Sequence, residues 1–210
     1  MVGAPRESAQ DPADDPADDL VLALAAARRG DEDGFATVWR ALHPSLLRYL
    51  QVCGDEGPED LAAETWLRVV RGLDAFEGGI AEFRAWLFTI ARHRAIDQGR
   101  LRARRPVVTV ADPQSVGPVP EVPSAEQVAT DNESTDRALR LVATLPPEQA
   151  EMVMLRVVAG LDVGDVARLV GKRSGTVRVS VHRALKRLAS SADMLRRHDD
   201  EGRRDDGHER

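Results

Sequence analysis

Residues 161–188 read LDVGDVARLVGKRSGTVRVSVHRALKRL, and two helices parted by a glycine turn are written into them. The first turns Val163, Val166, Ala167 and Val170 inward at helical spacing, with Asp162 placed to cap its start. Gly171 permits the left-handed backbone that a sharp stop needs. Ser174 is then expected to cap a second helix whose buried stripe is Val177, Val181, Ala184, Leu185 and Leu188. Its other face carries Thr176, Arg178, Val179, His182, Arg183, Lys186 and Arg187, with Lys172 and Arg173 at its mouth. Residues 166–190 hold 7 Lys and Arg and no acid. A helix, a tight turn and a basic second helix make a helix-turn-helix, whose second helix enters the major groove of DNA. Arg suits guanine because its fork bonds O6 and N7 together, and a Thr hydroxyl reaches a phosphate. A merely solvated amphipathic helix is the plainer reading, and an acid-free run of this length argues against it.

A second cationic block lies upstream, where residues 84–105 carry 7 Arg against the single acid Asp97. It ends a segment in which apolar residues recur at helical spacing, punctuated by Gly30, Gly34, Gly54, Gly57-Pro58 and Gly78-Gly79. Helices are expected near 19–29, 33–53, 58–73 and 81–104. Leu61, Thr65, Trp66, Val69 and Val70 share a stripe on the third, and Phe83, Trp86, Leu87 and Ile90 share one on the fourth. After Ile90 the surface becomes Arg, so the fourth helix packs with its first half and meets an anion with its second. The Phe76–Phe83 stretch, with its Gly-Gly pair, can position backbone groups around an unstacked base, and the Arg run can follow a phosphate chain. Trp86 and Phe88 read more naturally as core than as stacking platforms.

The acids lie elsewhere. The formal net charge of the 210-residue chain is −6, with 9 acids in residues 1–33 and 6, without any base, in residues 106–136. Residues 1–19 read as a disordered acidic arm and 106–135, with five prolines, as a flexible linker between a domain over 20–105 and one over 136–190. In the latter, helices are expected at 136–144, 147–159, 162–170 and 174–190, and a polar tail fills 191–210. The fold class is thus all-α, two small helical domains with a helix-turn-helix in the second. No apolar run approaches the roughly 20 residues that span a bilayer. The N-terminus does not resemble a signal peptide, so a cytoplasmic location without membrane insertion is expected. One cysteine, Cys53, leaves no intrachain disulfide. The five His show no ligand spacing and no hydrolase or nucleotide motif is present, so neither enzyme activity nor a metal or cofactor is expected.

Pro58-Glu-Asp-Leu-Ala-Ala-Glu-Thr-Trp-Leu-Arg-Val-Val70 and Phe83-Arg-Ala-Trp-Leu-Phe-Thr-Ile-Ala-Arg-His-Arg-Ala-Ile-Asp97 resemble conserved region 2 of bacterial sigma factors. Leu145-Pro-Pro-Glu-Gln149, Gly175-Thr-Val-Arg178 and His182-Arg-Ala-Leu-Lys-Arg-Leu188 are similar to region 4. With no room for region 3 between them, the chain resembles an extracytoplasmic-function (ECF) sigma factor of the sigma-70 family. The resemblance implies core RNA polymerase and promoter DNA as partners, with an anti-sigma factor as the usual restraint. It places polymerase contacts at Asp60, Leu61, Glu64, Leu67, Arg68 and Arg71, with Leu61 and Trp66 read equally as contact or core. It places capture of a flipped downstream (minus-10) base on Phe76, Glu77, Gly78, Gly79 and Ile80, and the unpaired strand on Arg84, Arg92, Arg94, Arg100 and Arg102. Upstream (minus-35) contacts fall on Lys172, Arg173, Ser174, Thr176, Arg178, Val179, His182 and Arg183. Where the family commonly has a small polar residue and then Arg, this chain has Val179 and Ser180, and His93 stands in place of the usual Asn. The acidic linker is either attracted to a basic channel of the polymerase or simply solubilising. A stand-alone dimeric helix-turn-helix regulator is the alternative function.

Overall fold

The computed structural model describes residues 16–54, 57–103 and 125–205, and among these every regular element is helical. Side chains are described over 18–54, 57–101 and 134–194. Residues 106–124 of the linker expected over 106–135, and most of the acidic arm, lie outside the described residues.

Helix α1 (Pro16–Ala27) starts inside the expected arm, with Asp18 and Asp19 in its first turn, where negative charge meets the positive end of the helix dipole. Leu20, Leu24 and Ala27 recur at i, i+4 and i+7 and are buried. They pack on α2 (Glu32–Cys53), which Asp31 caps by accepting from the Gly34 N–H at 2.6 Å. The two helices meet closely at Gly34: a Cβ there would lie 2.7 Å from the Ala23 carbonyl oxygen and 2.9 Å from the Ala27 nitrogen. Gly34→Ala is therefore expected to destabilise, although alanine is favoured over glycine within a helix by about 1 kcal/mol. The clash is with backbone, which yields only if α1 moves, at a cost of about 1–3 kcal/mol. A lowered thermal midpoint with unchanged helicity at low temperature is the expected reading.

Val38, Leu42, Leu46, Tyr49 and Leu50 form the buried face of α2, and each fully buried aliphatic contributes about 1.5–3 kcal/mol. Against it pack α3 (Pro58–Gly72), through Leu61, Ala62, Trp66 and Val69, and α4 (Ile80–Ala103), through Phe83, Leu87, Phe88 and Ala91. Thr65 is also fully buried, and its hydroxyl is satisfied by donating to the Leu61 carbonyl at 2.7 Å. Val70, expected in the buried stripe of α3, is instead 53% exposed, because it follows Val69 by one residue and is rotated about 100° away.

The indole N–H of Trp66 donates to Nδ1 of His43 at 3.3 Å, and Trp39 stacks on the same imidazole at 4.4 Å. Desolvation holds the His43 pKa below its ordinary 6.5, and the hydrogen bond needs the neutral ring. A depressed folded-state value means that the unfolded chain binds the proton first. The stabilisation is therefore complete above about pH 6.5 and is lost as pH falls through the depressed value. The thermal midpoint is expected to drop on acidification, and His43→Gln is expected to flatten that part of the profile.

The second helical set begins with α5 (Ala125–Ala143), eleven residues before the expected start. Once past Pro123 the sequence holds neither Gly nor Pro until Pro146, so nothing breaks the helix. Helix α6 (Pro147–Val153) runs into a single π-helical turn at Met154–Val158, with Ala159 N–H bonded to the Met154 carbonyl. The widened turn sinks the consecutive Met154 and Leu155 fully into the core. Helices α7 (Val163–Val170) and α8 (Ser174–Asp205) follow. Through the expected polar tail α8 continues to Asp205, since Ala, Met, Leu and Arg are helix formers whatever their polarity. No described helix is long and apolar enough to cross a membrane.

Candidate nucleic-acid interface

At the start of α7, Asp162 accepts from the Asp165 N–H at 2.7 Å, the expected cap, and this bond holds its carboxyl below the usual range. Gly171 ends the helix at φ 66°, ψ 34°, and the N–H groups of Gly171 and Lys172 both return to the Ala167 carbonyl. No atom lies within 4 Å of where a Gly171 Cβ would stand, so backbone conformation rather than space favours glycine there. The first bond of α8 runs from Val177 N–H to the Arg173 carbonyl, which puts the cap at Arg173 and Ser174 one position inside. That corrects the expected capping role of Ser174, which is half-buried.

Val177 and Ala184 are buried and Val181 and Leu188 half-buried, a stripe at i, i+4, i+7 and i+11. Leu185, expected in it, is 42% exposed because it sits one residue past the stripe. The opposite face leaves Arg173, Thr176, Arg178, Val179, His182 and Arg183 exposed together. Lys172 is exposed as well and bonded to Glu148 of α6 at 3.0 Å, an ion pair accessible enough for a phosphate to displace. Seven side chains expected at duplex DNA thus share one cationic edge.

The other expected site is assembled from α3, the 73–79 loop and α4. Phe76 is half-buried, stacked on Trp86 at 5.0 Å and edge-on to Phe83 at 5.5 Å, so it anchors the loop from within. Glu77, Gly78 and Gly79 are exposed at its tip and Ile80 is half-buried. Gly78 adopts φ 137°, where a Cβ would meet that of Glu82 at 2.9 Å. Glu82 accepts from the Gly79 N–H at 3.0 Å, closing the loop onto the start of α4. Trp86 has one face against Phe76, and a Cβ at Gly72 would touch its ring at 3.2 Å, so its packing role dominates.

Beside this loop lies a groove of about 560 Å³ lined by Arg68, Arg71, Trp86, Thr89, Ile90, His93, Arg94 and Asp97. The groove joins two sets that sequence reasoning had separated, since Arg68 and Arg71 were expected to face protein and Arg94 to face DNA. Arg94 pairs with Glu64 of α3 at 3.7 Å, and Arg100 with Asp97 at 3.9 Å, both largely exposed and weak. Asp60, Glu64, Leu67, Arg68 and Arg71 are exposed on the outer side of α3, Leu67 at 56%. Of its two readings, contact and core, Leu61 takes the second: at 3% exposure it belongs to the core, its Cδ1 against Gly54. The side chain of Arg102 lies outside the described residues.

Arg84 and Arg92 are half-buried, turned toward the second helical set rather than into solvent. Arg92 bonds Glu151 of α6 at 2.8 Å, and Tyr49 reaches the same carboxylate at 3.3 Å. This cluster had no signal in the sequence, its members being 59 and 102 residues apart. Cys53 lies near enough for burial and the Glu151 charge to push its thiol up to about 12, so it stays protonated and unreactive. No group of side chains that could hold a metal occurs among the described residues.

A helical domain with a basic last helix, followed by a helix-turn-helix, is the architecture of sigma-70 regions 2 and 4. Residues 38–105 match Sigma-70 region 2, and residues 135–188 match Sigma-70, region 4. The chain is 32% identical over 174 residues to the ECF RNA polymerase sigma factor SigD of Mycobacterium tuberculosis, covering 79% of this chain and 80% of that one. It is 31% identical to the ECF RNA polymerase sigma factor ShbA of Streptomyces griseus, over 80% of this chain and 92% of that one. With the ECF RNA polymerase sigma factor BldN of Streptomyces coelicolor it shares 33% identity over 78% of its length, spanning 62% of that longer relative. The fold is similar to CnrH in complex with the cytosolic domain of CnrY (TM-score 0.54, 19% identity, 86% of this chain and 99% of that one). It is also similar to RpoE of Bartonella quintana in complex with the anti-sigma factor NepR (TM-score 0.53, 24% identity, 74% and 94%). The chain belongs to the ECF RNA polymerase sigma factors of the sigma-70 family.

Proposed function

We propose that this chain binds core RNA polymerase in the cytoplasm and directs it to promoters. The helix-turn-helix reads the minus-35 element as duplex, and the first domain captures the minus-10 element as unpaired strand and so drives melting. Catalysis belongs to the polymerase. The exposed cationic edge of α8, set by the left-handed Gly171 turn, carries this reading. Division of labour follows from chemistry: base edges in the major groove suit a helix with Arg and Thr, whereas an unpaired strand suits an exposed loop followed by a groove of Arg, Trp and His. Asp60, Glu64, Leu67, Arg68 and Arg71, exposed together on the outer side of α3, are assigned to the polymerase. An anti-sigma factor is the expected regulator, as NepR is the partner of the similarly folded RpoE.

Run-off transcription with core polymerase, with and without this protein, on a library of genomic promoter fragments tests the reading. Discrete transcripts that depend on the protein are expected. Their absence, or tight specific binding of a dimer to duplex DNA without polymerase, overturns it.

A further inference from the structure

Val179 is 49% exposed and holds the sixth position of α8, inside the opening turns that a recognition helix sets against base edges. At about 100° per residue it lies about 200° round the helix from Val177, opposite the stripe that Val177, Val181, Ala184 and Leu188 turn inward. It is therefore the centre of the outer face and not its margin. Its neighbours one turn away are Gly175 and Thr176 on one side and His182 and Arg183 on the other, all exposed. Helical side chains cover the turn before their own Cα, so Val179 extends over Gly175. A Cβ at Gly175 would meet nothing within 4 Å, and its backbone is not left-handed. Neither packing nor conformation calls for glycine there, and its bareness leaves a clear approach to the backbone beside the valine. A lone valine on a surface is ordinary; one at the centre of a face otherwise made of Thr, His, Arg and Lys selects what can lie against it.

The valine side chain can neither donate nor accept a hydrogen bond. Set against a base edge it covers whatever group stands there, which is costly when that group is polar. In the major groove the base pairs offer one apolar group between them, the C5-methyl of thymine. We propose that Val179 selects thymine at one position of the minus-35 element, packing on its methyl group in the space that Gly175 leaves open. The inference rests on the minus-35 reading of α8. Arg178, His182 and Arg183 then place hydrogen bonds around a dry centre, and cytosine is refused twice, since it lacks the methyl and its amino group would be covered without a partner. Specificity at that position thus comes from the residue on the face that carries no polar group.

The test uses the full-length chain with core polymerase on templates that keep the downstream element of an active genomic fragment and randomise the upstream one. Sequencing of the transcribed templates is expected to show thymine enriched at one upstream position, on either strand, with the wild type. Val179→Ser is expected to lose that enrichment and keep the others. Replacing this thymine by deoxyuridine removes only the methyl. At limiting protein it is expected to lower wild-type transcription about fourfold, the effect of one buried carbon, and to leave Val179→Ser unaffected. Thr176→Ser, which gives up a methyl and keeps its hydroxyl, is expected to retain the whole deoxyuridine penalty. Matched thermal midpoints exclude misfolding as the cause. Wild-type selection without a thymine preference overturns the proposal, as does a deoxyuridine penalty that persists in Val179→Ser. A penalty that disappears in Thr176→Ser assigns the methyl to that neighbour and overturns it equally. Failure of the sigma-factor reading shows separately, as wild-type protein that yields no protein-dependent transcript from any template. The same library is then selected by duplex binding to the chain alone, where thymine enrichment lost in Val179→Ser upholds the contact and its absence overturns it.

Discussion

Replacing Arg178 and Arg183 together by Ala is expected to abolish promoter-specific transcription while leaving the thermal midpoint unchanged. Both side chains are exposed on α8, away from the Val177–Ala184 stripe, and neither is needed to hold the helix. Substitutions of that kind usually alter stability by less than about 0.5 kcal/mol. Binding is another matter. A guanidinium bidentate to guanine contributes about 1–3 kcal/mol of discrimination, so each loss costs roughly fivefold to a hundredfold, and two separate contacts multiply. Arg187→Ala, further along the helix, is the control that removes a charge beyond the N-terminal turns that meet base edges. Run-off transcription from a promoter identified with wild-type protein, beside thermal unfolding of each variant, makes the measurement. Wild-type transcription by the double variant at every promoter would show that α8 does not read the upstream element.

The helix-turn-helix was legible because its determinants are local: Asp162 caps α7 by accepting from an N–H three residues ahead, and Gly171 takes the left-handed conformation its position demanded. Even there the second cap falls on Arg173 rather than Ser174, since a backbone carbonyl begins the helix whatever side chain accompanies it. Periodicity found the stripes and blurred their edges. Val70 and Leu185 each follow a buried neighbour by one residue and turn out to solvent. Gly34 shows a different limit. In the sequence it is one more interruption, whereas in the fold it is the point where α1 and α2 touch through backbone. Composition misjudged both ends of the second half, where the start of α5 and the end of α8 are helical with little apolar content. The Arg92–Glu151 pair was out of reach altogether, because pattern along a chain carries no signal for which surfaces meet across 59 residues.

Phe83→Ala is expected to destabilise the first domain strongly, and to reach function through the 73–79 loop. The ring is fully buried, with Phe76 edge-on at 5.5 Å and Trp86 at 5.8 Å. Truncating a buried Phe costs about 3–5 kcal/mol in transfer and cavity terms, a large share of the roughly 5–15 kcal/mol that holds a domain together. Phe76 would then lose the partner against which its edge is set, and the loop tip at Glu77, Gly78 and Gly79 would rest only on the Trp86 stack and the Glu82 bond to Gly79. Phe83→Leu refills much of the space and is expected to cost far less, so the pair of variants separates packing from collapse. Denaturant titration gives the free energies. Transcription from a duplex promoter and from one already unpaired at minus-10 then locates the functional loss. If the loop captures an unpaired base, the Phe83→Leu protein should lose activity on both templates, because premelting spares the enzyme the opening of the duplex but not the hold on the strand. Full rescue by the premelted template would assign the loop to opening alone.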